Sequence, residues 1–212
     1  VTLDRTRVSA LTVRAASKSY GSVPLFSEVT FDLSAGKAIA LTGANGTGKS
    51  TLLRCVAGTD ELDDGDVELF GRPLIESDAT QRRAVAALLD DVDYFPDLSV
   101  LEHLRMISWL HGTENADSVT ETVIRDVGLD AAIHQLPPTL STGQRHRLGL
   151  ASCFVRPRDL LLLDEPEQRL DKAGREWLGF RLREEKRNGT AVLFASHDQT
   201  VISDVADDVV SF

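Results

Sequence analysis

The run Gly43-Ala44-Asn45-Gly46-Thr47-Gly48-Lys49-Ser50 constrains this chain more than any other stretch. It fits GxxxxGK[ST], a pattern whose glycines let the backbone fold into a nest of N–H groups around a polyphosphate. Its flanks suit that reading. Lys37–Thr42 is apolar between Gly36 and Gly43, as expected of a buried strand, and Ser50–Ala57 reads as a helix stopped by Gly58. The helix N-terminus adds the positive end of its dipole. In such a loop Lys49 reaches the β- and γ-phosphates and the Ser50 hydroxyl ligates Mg²⁺. A nucleoside triphosphate site is therefore predicted at the carboxyl end of a strand.

Size and charge narrow the setting. A chain of 212 residues with 42% hydrophobic content can form one α/β domain or one with an insertion. The net charge of −10 argues against a nucleic-acid footprint and against direct docking on anionic lipid. No apolar run is long enough to span a membrane, and Val1–Arg5 lacks the apolar core of a signal peptide. Cys55 and Cys153 fall inside predicted helices without metal-ligand spacing, so buried free thiols in a reducing compartment are expected. The acidic run 60–66 reads most simply as a solvated loop. There is no internal repeat, low-complexity segment or long linker.

Along the chain, partly alternating segments at 11–16, 29–33 and 66–70 read as strands, the last followed by a turn into a short return strand. Val85–Leu89 reads as a buried strand. Helices are predicted over 100–111, with Ser99 as N-cap, over 117–127, and over 142–155 after the break at Pro137-Pro138. Leu160–Leu163 and Ala191–Ala195 are short, wholly apolar strands, Asp171–Lys186 an amphipathic helix, and 208–212 a final strand. The strand–helix alternation after the phosphate loop predicts a mostly parallel sheet with helices on both faces.

Three further sites carry chemistry. Asp164 ends an apolar strand, where its carboxylate suits Mg²⁺, and its neighbour Glu165 can polarise an attacking water. His197 follows the strand 191–195; it either senses a γ-phosphate or is a surface-turn histidine. Leu140-Ser141-Thr142-Gly143-Gln144 begins a second helix with a capping serine and a glycine that permits close approach. One nucleotide does not need two anion-binding helix ends in one chain; a symmetric pair, each covering its partner's nucleotide, accounts for both.

The phosphate loop, LSTGQ, LLLLDEP and the late histidine, in that order, resemble the nucleotide-binding subunit of an ABC transporter, and the resemblance covers essentially the whole chain. It implies a P-loop NTPase of ABC type: an α/β fold with a mostly parallel core sheet and a small antiparallel β subdomain over 1–89 and 156–212, and an inserted α-helical subdomain over 90–155. It implies ATP and Mg²⁺ as cofactors. Lys49, Glu165 and His197 are then the catalytic set, and Ser50, Asp164 and Asp90 the metal set. Gly43, Asn45, Gly46, Thr47, Gly48, Lys49, Ser50 and Thr51 hold the nucleotide, and Tyr20 stacks on adenine. Ser141, Gly143, Gln144 and Asp171 address the nucleotide of a second ATPase chain, identical or paralogous. A separate transmembrane permease is the other implied partner, placing the chain in the cytoplasm on the inner face of the membrane without inserting. Tyr94-Phe95-Pro96 and Met106–Trp109 are either the permease-docking surface or subdomain core. With Phe212 directly after the final strand, no added regulatory domain is expected.

Two departures from the pattern stand out. Asp90, or Asp91 one residue on, takes the place of the usual glutamine; it keeps an oxygen ligand for a hard cation but loses the amide donor. Glu167-Gln168-Arg169 replaces small residues before Leu170-Asp171, which places bulky side chains near a dimer seam. A soluble ABC-type clamp without transport is the second reading, although neither a long coiled-coil insertion nor a second cassette is present. A plain P-loop kinase is disfavoured by LSTGQ, and a GTPase by the absence of an Asn-Lys-x-Asp motif.

Overall fold

The computed structural model describes residues 9–75, 77–89 and 93–212. They fall into two compact units, one of residues 9–89 with 158–167 and 172–212, the other of residues 93–157 with 168–171.

The first unit holds two sheets. An antiparallel sheet of order β2-β1-β4-β5 is formed by β1 (Ser9–Tyr20), β2 (Val23–Ser34), β4 (Asp64–Leu69) and β5 (Arg72–Pro73). A parallel sheet of order β6-β7-β8-β3-β9 comprises β3 (Ala38–Thr42), β6 (Val85–Leu88), β7 (Leu160–Asp164), β8 (Ala191–Ala195) and β9 (Asp208–Ser211). The three central strands β3, β7 and β8 are buried almost throughout, as expected when neither face of a parallel sheet meets solvent. Helix α1 (Lys49–Ala57) follows β3 and contributes Leu52, Leu53 and Val56 to the core. Leu11, Val13 and Leu33 of one sheet and Leu41, Leu162 and Leu193 of the other bury into the same cluster. Each such side chain contributes on the order of 1.5–3 kcal/mol, so this cluster is what holds the two sheets together.

Strand β1 runs further than its alternation suggests. Ala15 takes φ 47° and the register with β2 shifts between Val13 and Ala16, so a bulge breaks the period of two. The acidic run 60–66 is also more than a solvated loop. Asp60 and Asp63 approach the Lys18 ammonium at 3.2 and 3.5 Å, because a lysine buried within β1 requires opposite charge beside it.

The second unit is helical: α3 (Val100–Leu110), α4 (Ala116–Asp126) and α5 (Thr142–Phe154), with 3₁₀ turns at Asp130–Ala132 and Pro137–Thr139. Ser99 with Glu102, and Ser141 with Gln144, form capping boxes that start α3 and α5. Helix α6 (Lys172–Arg187) belongs to the first unit. Two short helices there, α2 (Ala79–Ala84) and α7 (Gln199–Val205), lie outside the sequence-based assignments. They are too short for apolar periodicity; their signal is the N-cap aspartates Asp78 and Asp198. Cys55 and Cys153 are buried and not joined in a disulfide, and burial pushes the Cys55 thiol up to about 11.

Candidate functional site

Register places the chemistry of the first unit. Leu41 of β3 pairs with Ala195 of β8, and Ala195 pairs with Asp164 of β7. Because all three strands run the same way, their continuations (Gly43, Glu165 and His197) leave the sheet along one edge. That is where open parallel sheets bind ligands.

The phosphate loop is built on left-handed glycines: Gly43, Gly46 and Gly48 take φ of 142°, 81° and 100°. A side chain at position 48 would put its Cβ 2.6 Å from Phe26 Cδ1, and one at 43 would lie 2.9 Å from the Phe212 carbonyl oxygen. Gly46 faces open space, with none of the described residues within 4 Å of a Cβ placed there. Among the described residues no side chain caps α1, and no acidic residue occupies its first turn, so its leading N–H groups are suited to an anion. The Lys49 ammonium lies within the loop, donating to the Gly43 and Ala44 carbonyls at 3.0 and 2.9 Å. Thr47 Oγ1 donates to the Ala44 carbonyl at 3.0 Å. Asn45 is exposed and Ser50 half-buried, whereas Thr51 is buried and accepts from Arg54 Nη2 at 3.2 Å. These features fit a triphosphate: a ring of donors, a cation and room beside Gly46.

Asp164 ends β7 half-buried. Glu165 follows in the left-handed region at φ 48°, its N–H donating to the Ala195 carbonyl at 2.9 Å. A non-glycine residue there carries about 1 kcal/mol of strain, and the turn diverts Glu165 out of the strand. His197 Nε2 lies 3.0 Å from Glu165 Oε1. A carboxylate only accepts, so Nε2 carries the proton and the imidazole orients Glu165. His197 itself is exposed, in the turn that follows β8.

The described residues contain no group of three or more His, Cys, Asp or Glu that could hold a metal by themselves. Mg²⁺ commonly takes one or two protein oxygens and completes its shell from phosphate and water. Ser50 and Asp164 are oxygen donors of that kind. Asp90 and Asp91 lie outside the described residues.

Tyr20, at the end of β1, is 56% exposed and presents its ring to solvent. Its hydroxyl donates to Asp60 Oδ2 at 3.4 Å, and Lys18 Nζ lies 6.0 Å from the ring centroid. The Lys18–Asp60 contact therefore braces the ring from below.

In the second unit, Ser141, Gly143, Gln144 and Asp171 line one open cavity of about 560 Å³ with Gly128, Arg147 and Arg169. Ser141 Oγ accepts from the Gln144 N–H at 3.2 Å, and the Ser141 N–H donates to Gln144 Oε1 at 2.9 Å. The serine O–H is thus left able to donate outward. Arg147 donates to the Val127 carbonyl at 2.9 Å and approaches Asp171 at 3.5 Å. A Cβ at position 143 would lie 3.2 Å from the Arg169 carbonyl oxygen, so glycine keeps the cavity wall closely packed. Sequence reasoning misses Arg147, which brings positive charge to this cavity beside Arg169 and Asp171.

Glu167 does not lie at an exposed seam. It is 7% exposed, its carboxylate turned inward onto Ser196, while Gln168 and Arg169 are exposed. Of the aromatics in the helical unit, Phe95 and Trp109 are 44% and 62% exposed and Leu110 70%; Tyr94 and Met106 are half-buried. No helix among the described residues is long and apolar enough to cross a membrane.

Known proteins resemble this chain in sequence and fold. The family model described as ABC transporter matches residues 26–168. The uncharacterized ABC transporter ATP-binding protein YdbJ of Bacillus subtilis is 33% identical over 201 residues, covering 94% of this chain and 65% of the relative. The SkfA peptide export ATP-binding protein SkfE of the same organism is 30% identical over 200 residues, covering 93% of this chain and 83% of the relative. Among solved structures, one described as the ATP binding subunit of an ABC transporter superposes with a TM-score of 0.88 at 26% identity, covering 96% of this chain and 86% of the other. The chain spans only 55 to 65% of the length of several of the curated relatives it matches. The family match spans most of the chain, and the chain belongs to the ABC transporter family.

Proposed function

We propose that the chain binds and hydrolyses ATP to power a membrane transporter through a separate permease, working as one of two paired ATPase chains. The observation that carries this reading is the convergence of the phosphate loop, Asp164, Glu165 and His197 on one edge of the parallel sheet. ATP binding is further supported by the relatives, described as ATP-binding proteins.

Lys49 and the loop N–H groups bind the phosphates, and Tyr20 stacks on the base. Ser50 and Asp164 hold Mg²⁺, with Asp90 as a third oxygen donor. Bound Mg²⁺ neutralises charge on the transferring phosphoryl group. Glu165 orients the attacking water and takes its proton; His197 fixes Glu165 through its Nε2–H. Ser141, Gly143, Gln144 and Asp171 complete the site of the paired chain, so the loop binds ATP alone but turns it over well only in a pair. The exposed Phe95, Trp109 and Leu110 suit a partner helix, and the helical unit that carries them is the permease-docking part of the chain. The chain then works in the cytoplasm at the inner face of the membrane.

The test is ATP turnover by the full chain alone and with a co-purified membrane protein. Stimulation by that protein is expected; turnover indifferent to any membrane partner would favour a soluble clamp, and none at all would end the ATPase reading. Asp90→Gln is expected to change partner-stimulated turnover while Mg²⁺-ATP still binds; unchanged basal and stimulated rates would remove Asp90 from the coupling.

A further inference from the structure

Glu167 is a charged residue in a place that burial makes costly. It is 7% exposed, and its Oε2 has no hydrogen-bond partner among the described residues. Its other oxygen is crowded with donors. Oε1 accepts a short bond from Ser196 Oγ and longer ones from the N–H groups of His197 and Asp198, at 3.3 and 3.4 Å. Ser196 Oγ in turn accepts from the Asp198 N–H at 3.0 Å. The three donors are consecutive residues of the loop leaving β8, and Glu167 belongs to the loop leaving β7. The carboxylate therefore clips together the two loops that carry His197 and Glu165.

An apolar side chain would fill this space without the desolvation penalty. What a carboxylate adds is one acceptor point for three donors. Both sides of the clipped turn are fixed as well. The Ser196 N–H donates to the Leu41 carbonyl at 3.4 Å, and the Asp198 side chain caps α7, accepting from the Thr200 and Val201 N–H groups at 2.8 and 3.3 Å. His197 is held between these anchors with its ring on Glu165. Burial raises the Glu167 carboxyl above its ordinary range, against the Ser196 hydrogen bond and with help from the nearby Glu165 charge.

We propose that Glu167 is a positioning residue for the Glu165–His197 pair, pinning the backbone of residues 196–198 so that the imidazole meets the carboxylate. The proposal rests on the ATPase reading above for its consequence, though its geometry stands within one unit of the fold. Glu167 touches no reacting group in this scheme and acts through His197.

The full chain is to be compared with Glu167→Gln, Glu167→Ala, His197→Ala and the Glu167→Ala/His197→Ala double variant. The measurements are ATP turnover (with the permease where turnover needs it), equilibrium ATP affinity, melting temperature and the ¹H–¹⁵N signals of the histidine rings. Misplacing a reacting group by a fraction of an ångström is costly, so Glu167→Ala is expected to lower kcat about tenfold while ATP affinity changes less than about twofold. Glu167→Gln keeps an acceptor oxygen and is expected to recover most of the rate. The double variant is expected to be no slower than His197→Ala alone, as for two residues acting through one contact. The His197 ring signals are expected to move in Glu167→Ala and to stay in Glu167→Gln. Wild-type turnover in Glu167→Ala, additive losses in the double variant, or unmoved His197 signals would each overturn the proposal. A wild-type chain that hydrolyses no ATP defeats the functional reading, and the ring signals then decide the positioning role by themselves. Should Glu167→Ala fail to fold, Ser196→Ala removes one of the three donors; a smaller loss of kcat at unchanged affinity, with shifted His197 signals, supports the clip, and wild-type behaviour overturns it.

Discussion

His197 and Glu165, carried past the ends of neighbouring parallel strands, meet with Nε2 3.0 Å from Oε1. The contact joins a proton acceptor to a group that fixes its orientation, so the two residues are expected to fail differently. Glu165→Gln removes the acceptor and should lower ATP turnover by roughly 10²- to 10⁴-fold with ATP binding retained. His197→Ala leaves the acceptor in place but unheld, and its loss should be smaller. Phosphate release alongside nucleotide binding checks both; normal turnover in Glu165→Gln would refute the assignment.

Lys49 links stability to binding. Its ammonium donates to two loop carbonyls, so Lys49→Met should weaken nucleotide binding and also destabilise the chain without nucleotide by about 1 kcal/mol. Melting curves with and without Mg²⁺-ATP separate the two effects. A variant with wild-type melting and weakened binding would place the ammonium outside the loop.

His103 makes the helical unit sensitive to acid. Its Nδ1 accepts from the Phe95 N–H at 3.4 Å and Nε2 meets Ser152 Oγ at 3.2 Å. Ser152 already donates to the Leu148 carbonyl at 2.9 Å, so Nε2 carries the proton and the ring is neutral. Burial lowers its pKa from 6.5 to about 4. The unfolded chain takes up the proton first on acidification, so stability is full above pH 6.5 and falls as the pH drops toward about 4. The loss should reach about 3 kcal/mol, because a tenfold difference in proton affinity between the folded and unfolded chain is worth about 1.4 kcal/mol. Urea titrations of wild type and His103→Gln across that range provide the check; parallel pH profiles would exclude the histidine as the cause.

Glu185 is a second internal anchor. It is 2% exposed and receives Arg158 Nε at 2.8 Å, Arg181 Nη2 at 2.9 Å and Thr190 Oγ1 at 3.2 Å. Glu185→Ala removes the buried acceptor that Arg158, Arg181 and Thr190 share. Such losses cost about 3–5 kcal/mol, enough to lower the urea midpoint sharply. Replacing Arg158 and Glu185 together by apolar residues of similar volume should restore much of the loss.

The elements legible in the sequence are those fixed by local chemistry. Wholly apolar runs such as Leu160–Leu163 are strands because a buried parallel strand has no wet face. The helix starts at Ser99 and Ser141 follow from a capping residue and its partner three positions on. Two kinds of feature escape such reading. Ala15 hides the length of β1, because a bulge shifts which side chains point inward. Glu167, Arg158 and Glu185 look like surface charges until the fold brings their partners from distant segments. In the site, the phosphate loop and the Asp164-Glu165 pair are readable from pattern, whereas the contact between Glu165 and His197 depends on the register of β7 with β8.

The close approach of Phe26 to Gly48, and of Phe212 to Gly43, has a consequence for how a nucleotide is received. The two aromatic rings also meet edge to face, their centroids 5.7 Å apart. Residues far apart in the chain thereby form a buttress behind the loop. A loop ordered at folding does not have to be ordered again at each encounter, so its association with a triphosphate resembles docking on a finished surface. Phe26 and Phe212 need touch no phosphate to influence affinity: loosening either would surface as an entropic penalty on binding, with every polar contact still in place.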